Sequence, residues 1–199
     1  NFLFSSACGN VTVGGTEFAV GDINAGGGCR DGWVAKINSG GNLEWWAVVE
    51  GSHDGTITNN LNWDNSQIDL GLNAMVDANS SLTLPMQIYS ESITIGGITL
   101  QHPYPDSGTM HTDGWFMRDP AYALLTISSD GTWLHGTMYG DDDDNSKPTI
   151  ISSGDGGNFL FSSACGNVTV GGTEFAVGDI NAGGGCRDGW VAKINSGGN

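Results

Sequence analysis

The segment NFLFSSACGNVTVGGTEFAVGDINAGGGCRDGWVAKINSGGN occupies residues 1–42 and returns without a change at residues 158–199, which sets a period of 157 residues. A fixed period constrains architecture more than any other sequence feature, because a recurring unit has to find the same packing at each recurrence. A single compact domain whose two ends met different neighbours would select different side chains at those ends. The identity predicts an array of equivalent units, with residues 1–199 as a window on a longer polypeptide. An engineered repeat of one flank, or a processed subunit with overlapping ends, is the competing account.

The composition restricts what such an array can be. Thirty-three Gly residues supply turns, while seven Trp and seven Phe require burial that a disordered chain does not offer. Against 22 acidic residues stand only six Lys and Arg, a formal charge of −16. A phosphate backbone is repelled by such a surface, so no nucleic-acid partner is expected. Divalent cations, basic partners or a saline medium suit it, as does a plain solvated acidic coat. No run of about 18 apolar residues is present, so no membrane insertion is expected within this segment.

Runs of β-branched and aromatic residues, broken by Gly, Asn, Asp and Ser, recur about every ten residues, and no stretch holds a helical period. The pattern predicts an all-β chain with strands near 2–7, 10–19, 32–38, 43–50, 70–77, 82–90, 92–101, 122–128, 132–139 and 148–153. Gly14-Gly15, Gly96-Gly97 and Asp130-Gly131 offer the positive φ angles of tight hairpins.

An older duplication lies inside the 157-residue unit. Val11-Thr12-Val13-Gly14-Gly15 matches Ile93-Thr94-Ile95-Gly96-Gly97, and Asp31-Gly32-Trp33 matches Asp113-Gly114-Trp115 at the same offset of 82. Met75-Val76 then matches Ile150-Ile151 at an offset of 75, which completes the period. About eight extra residues, Trp115 to Tyr122, interrupt the second copy and with Pro120 predict a surface loop.

The stretch DGWVAKINSGGNLEWWAVVEG, preceded by NFLFSSACGNVTVGGTEF, resembles the bacterial β-propeller-type repeat known as SBBP. NAMVDANSSLTLPMQIYSESITIGG is similar to the opening half of the same repeat, whereas Phe116-Met117-Arg118 and the insertion depart from it. The resemblance implies four-stranded antiparallel blades in a secreted or surface protein, and it brings no catalytic residues. On this reading residues 1–51 are a blade-like repeat without its start, 52–68 a connecting loop, and 69–140 a second, diverged repeat. Residues 141–147 are then an acidic linker, and 148–199 the start of the next unit. Two and a half blades cannot close a ring, which takes about four to eight. The long unchanged period favours blades stacked in a tandem array; a closed propeller completed by further blades or chains is the alternative.

The blade reading puts Cys8 at the end of one strand and Cys29 just before its neighbour, with Cys165 and Cys186 repeating them. A disulfide in each 157-residue unit follows, worth about 3 kcal/mol for a closed loop of about 20 residues, and it places the protein outside the reducing cytosol. The positions aligned in the diverged copy, Ser90 and His111, lack both cysteines together, as a bonded pair predicts. Free thiols, or links between adjacent units, remain open.

Asp141, Asp142, Asp143 and Asp144 form a dense carboxylate run that would suit calcium, though Ser146 and Ser152 stand where an EF-hand has Gly and Glu. No other cofactor is implied. Core packing is the default for the tryptophans that recur with the repeat. One of the adjacent pair Trp45 and Trp46 must nevertheless face away from the other, and Trp63 lies outside the repeat. These three are the candidates for an interface between units or for stacking on a sugar ring.

His102 and His111 share a loop with Asp106 and Asp113, a placement read as chance. Nucleophile elbows, phosphate loops and dinucleotide fingerprints are missing from the sequence, so no enzyme is expected. The leading expectation is a structural subunit of an extracellular filament, fibre or surface stalk, with copies of itself as partners. A surface adhesin with lectin-like, glycan- or cation-dependent binding is the alternative.

Overall fold

The computed structural model describes residues 1–21, 31–51, 68–69, 74–106, 108–110, 116–141, 148–178 and 187–199, and every regular element among them is a β-strand. The first copy supplies β1 (Phe2–Ala7), β2 (Gly9–Val13), β3 (Thr16–Val20), β4 (Asp31–Ile37) and β5 (Leu43–Gly51). A short β6 (Ile68–Asp69) follows. The second copy supplies β7 (Met75–Val76), β8 (Leu82–Ile88), β9 (Ser92–Ile95), β10 (Ile98–Gln101), β11 (Gly108–Met110), β12 (Phe116–Arg118), β13 (Ala121–Ile127) and β14 (Trp133–Asp141). The third supplies β15 (Thr149–Ser152), β16 (Asn158–Ala164), β17 (Gly166–Val170), β18 (Thr173–Val177) and β19 (Asp188–Ile194).

Among the described residues all strand pairs are antiparallel, and no sheet closes into a barrel. The first sheet runs β1-β4-β5-β9-β10. The central sheet runs β18-β17-β14-β13-β8-β6, with β7 also on β8, and the third runs β15-β16-β19. Two hairpins, β2–β3 and β11–β12, form two-stranded sheets of their own.

One five-residue turn builds the long hairpins. The N–H of its first residue donates to the carbonyl of its fifth at Asn38→Asn42 (3.0 Å), Asp77→Ser81 (3.0 Å), Ser128→Thr132 (2.9 Å), Ser153→Gly157 (2.9 Å) and Asn195→Asn199 (2.8 Å). A polar first residue suits this turn because its side chain can accept from backbone N–H groups further on. Asn38 Oδ1 takes Gly40 and Asn42, Asp77 Oδ1 takes Asn79 and Ser81, and Asn195 Oδ1 takes Gly197 and Asn199. The fourth residue has positive φ, which selects Gly41, Gly131, Gly156 and Gly198, while Ser80 adopts it at 63°.

Identical sequence gives identical pairing. Phe2 opposes Lys36 as Phe159 opposes Lys193, and Gly9 opposes Val20 as Gly166 opposes Val177. The diverged copy keeps the ladder but shifts the alignment read from its motifs. Ala7 opposes Asp31 where Ile88 opposes Ala121, and this carries Cys8 onto Tyr89, leaving Ser90 as one added residue. Likewise Met75 opposes Thr83 where Ile151 opposes Phe159, so Met75-Val76 corresponds to Ile151-Ser152 rather than to Ile150-Ile151. The insertion is also less of a loop than its sequence predicts. Phe116–Arg118 pairs with Gly108–Met110, and Ala121 and Tyr122 belong to β13, buried to 0% and 1% exposure. Ile68–Asp69, at the edge of the expected connecting loop, pairs with β8; residues 70–73 of the strand expected at 70–77 lie outside the described residues.

The three sheets pack face to face. Between the first and the central sheet lie Val34, Phe2, Phe4 and Trp45 against Leu82, Leu84 and Ile127, with a second cluster of Val49, Ile93 and Ile95 against Met86, Ala123 and Leu125. Between the central and third sheets lie Tyr122, Leu124 and Tyr139 against Leu160, Ile194 and Trp190. Covered on both faces, β13 is buried at all seven positions, and its sequence AYALLTI reads as the continuous apolar run that double burial demands.

Candidate functional site

The feature that recurs with the sequence is the joint between copies. Glu50 pairs with Thr94 and Gly51 with Ile93, so the last strand of the first copy takes the β9–β10 hairpin of the second as its edge. Gly140 pairs with Thr169 and Asp141 with Val168, so the last strand of the second copy takes the β17–β18 hairpin of the third. Glu50 and Gly140 occupy the same place after their turns, and Thr94 and Thr169 the same place before their Gly-Gly pairs. Both joints therefore share one register.

Side chains repeat the pattern. A Cβ on Gly131 would stand 3.0 Å from the Trp45 ring of the preceding copy, and one on Gly198 would stand 3.0 Å from Nδ1 of His135, the residue equivalent to Trp45. In each case a ring of one copy rests on the left-handed glycine of the next copy's turn, where any side chain would intrude. Trp45 adds a hydrogen bond from Nε1 to the Ser129 carbonyl (3.1 Å), and Thr137 donates to the Gly198 carbonyl. Lys36 reaches across to the same Ser129 carbonyl (2.7 Å) while pairing with Glu44 at 2.9 Å. In the third copy Lys193 pairs instead with Asp155 (2.6 Å); this contact, with Ser153 and the Gly157 N–H, holds the Asp155 carboxyl well below the usual carboxylate range. Burial pushes the His135 imidazole in the neutral direction.

Of the residues expected to bind, Trp45 is committed to the joint, its ring tilted at 58° against Phe2 with centroids 5.8 Å apart, and bonded to Ser129. Trp46 is 44% exposed, one face stacked on Phe18 at 4.5 Å and 7°. Trp63 lies outside the described residues, as do Asp142, Asp143 and Asp144; Asp141 ends β14. Among the described residues no group of His, Cys, Asp or Glu gathers to hold a metal, and no helix is long and apolar enough to cross a membrane. Cys8 and Cys165 are not free thiols, and their expected partners Cys29 and Cys186 lie outside the described residues.

His102 is buried and has a structural role. Its Nδ1 accepts from the Tyr104 N–H (3.1 Å), which leaves Nε2 to donate to the Asp119 carbonyl (2.9 Å). Tyr104 then ties this loop to the third copy through Thr169 (2.9 Å) and Glu174 (3.2 Å). His111 and Asp113 lie outside the described residues.

Clefts open beside the joints, between turns of successive sheets. One of about 700 Å3 is lined by Phe2, Phe4, Lys36, Asn79 and Ser129, and another of about 610 Å3 by Asp77, Asn79, His135, Asp155 and Ser196. Both lie between layers, and the second carries Asp77, His135 and Asp155 in its lining. Sequence reasoning named Trp45 for an interface between units but missed the strand pairing of the joint and its glycines, although Gly recurs one residue before the end of four of the five turns.

No protein-family model matches this chain, and no curated protein matches it. The resemblance to the SBBP-type repeat rests on its motifs.

Proposed function

We propose that this chain is a structural element of an extracellular filament, fibre or surface stalk built from tandem 157-residue units, each a pair of blade-like sheets in a linear stack. The observation that carries the reading is the shared register of the two joints, Glu50 on Thr94 and Gly140 on Thr169. A step that carries the first copy into the second and the second into the third in the same way can be repeated without limit, with stability set between nearest neighbours. In this reading Cys8 bonds Cys29, and Cys165 bonds Cys186, closing one loop in each 157-residue unit. The net charge of −16 keeps the lateral surface solvated.

Electron microscopy of the native material tests the proposal. Sheets pack about 10 Å apart, so a stack should appear as a continuous fibre rising roughly 20 Å per unit. A closed disc would replace the stack by a propeller, and isolated particles would remove the filament.

A further inference from the structure

The third sheet presents surfaces whose counterparts in the first sheet are covered, and the two have the same sequence. β19 and β4 both read DGWVAKI. β4 lies between β1 and β5, whereas β19 has β16 in the place of β1 and no described strand on its other edge. Val34 is 0% exposed beneath the central sheet, and its counterpart Val191 is 60% exposed. Phe4 packs in the same cluster, while its counterpart Phe161 is 40% exposed. An unpaired strand edge beside an exposed apolar face is a template for strand addition. The occupant is named by the chain itself, because identical residues at β4 already carry β5.

We propose that the open edge of β19 and the Phe161–Val191 face dock a further copy of the unit, whose Leu43–Gly51 strand pairs with β19 in the register that β5 takes on β4. Val191 then opposes Ala47, and Lys193 opposes Trp45, as Val34 and Lys36 do within this chain. The same addition returns Glu44 to the lysine that lacks it, and the sheet that follows that strand covers Val191 and Phe161. This inference rests on the tandem-unit reading and specifies its joint.

Disulfide capture tests the register. The full chain carrying Val191→Cys is mixed with a synthetic peptide of residues 42–51, solubilised by terminal lysines and carrying either Ala47→Cys or Trp46→Cys. Directly opposed positions lie within disulfide reach, and a one-residue slip turns the side chain to the other face, so capture of the Ala47→Cys peptide should be at least about tenfold faster. Slower amide exchange across residues 188–194 should accompany it. Capture of neither peptide, or of both at one rate, overturns the proposal, as does a dimer of the Val191→Cys chain that outcompetes the peptide. Such a failure leaves a fibre seen by microscopy standing with a different joint, whereas a disc or isolated particles remove the filament whatever the peptide does.

Discussion

Ser80 takes the fourth place of its turn with φ at 63°, a position that glycine holds in the other four turns. A side chain in the left-handed region costs about 1–2 kcal/mol, from which the entropy of a freer unfolded glycine takes back about 0.5–1. Ser80→Gly should therefore raise Tm by about 2 °C in a thermal melt. His135 is a residue-scale case of the opposite sign. Its neutral form is favoured by burial, although Asp77 and Asp155 line the same cleft. The unfolded chain binds the proton more readily, so this contribution to stability is intact above the free imidazole pKa of about 6.5 and is lost as pH falls below it. Melts between roughly pH 7.5 and 5.5 should show a flatter decline for His135→Gln than for the natural chain. One residue pair shows how the copies diverged. Trp46 stacks on Phe18 in the first copy; at the equivalent site Gly136 leaves room for Leu100, whose Cδ1 would stand 2.8 Å from an added Cβ.

At the scale of elements, the strands near 2–7, 43–50, 82–90 and 132–139 were legible because alternation and β-branched runs report a half-buried strand directly. The strand pairing of the joint was not legible. β5 meets β9 through two residues only, from segments that share no motif, and such pairing depends on where whole sheets come to rest. The extra residue at Ser90 was equally hidden, since a single insertion between strands leaves motif matching intact and shows only in the ladder. β13 was read as partly loop because Ala121 and Tyr122 follow Pro120 and break the resemblance to DGWVAKI, yet coverage on both faces makes their apolar character a requirement. The contrast between β4 and β19 gives an element-scale prediction. With one sequence and different neighbours, amides of residues 31–37 should exchange at least about tenfold more slowly than those of 188–194, because among the described strands β4 is bonded on both edges and β19 on one. Hydrogen-exchange mass spectrometry resolves the two through peptides that extend into Leu43–Gly51 for the first copy.

For the molecule as a whole, the dominant long-range term is self-repulsion. A charge of −16 on 199 residues opposes compaction, and mobile ions screen it over about 10 Å at 0.1 M salt. Raising NaCl from about 0.02 to 0.5 M should increase Tm despite weakening exposed pairs such as Lys193–Asp155, which contribute little individually. A fall in Tm across that range would show that local ion pairs outweigh the net charge.

The sheets do not coincide with the stretches of sequence that form them, since β9 and β10 belong to the second copy by sequence and to the first sheet by hydrogen bonding. Melting the second copy strips two strands from its predecessor, and losing β5 leaves β9 paired with β10 alone. Neighbours thus share the cost of any opening. The smallest piece of this chain able to come apart alone is larger than the smallest piece that repeats, so cuts made at the repeat boundaries would release fragments less stable than the lengths between them imply.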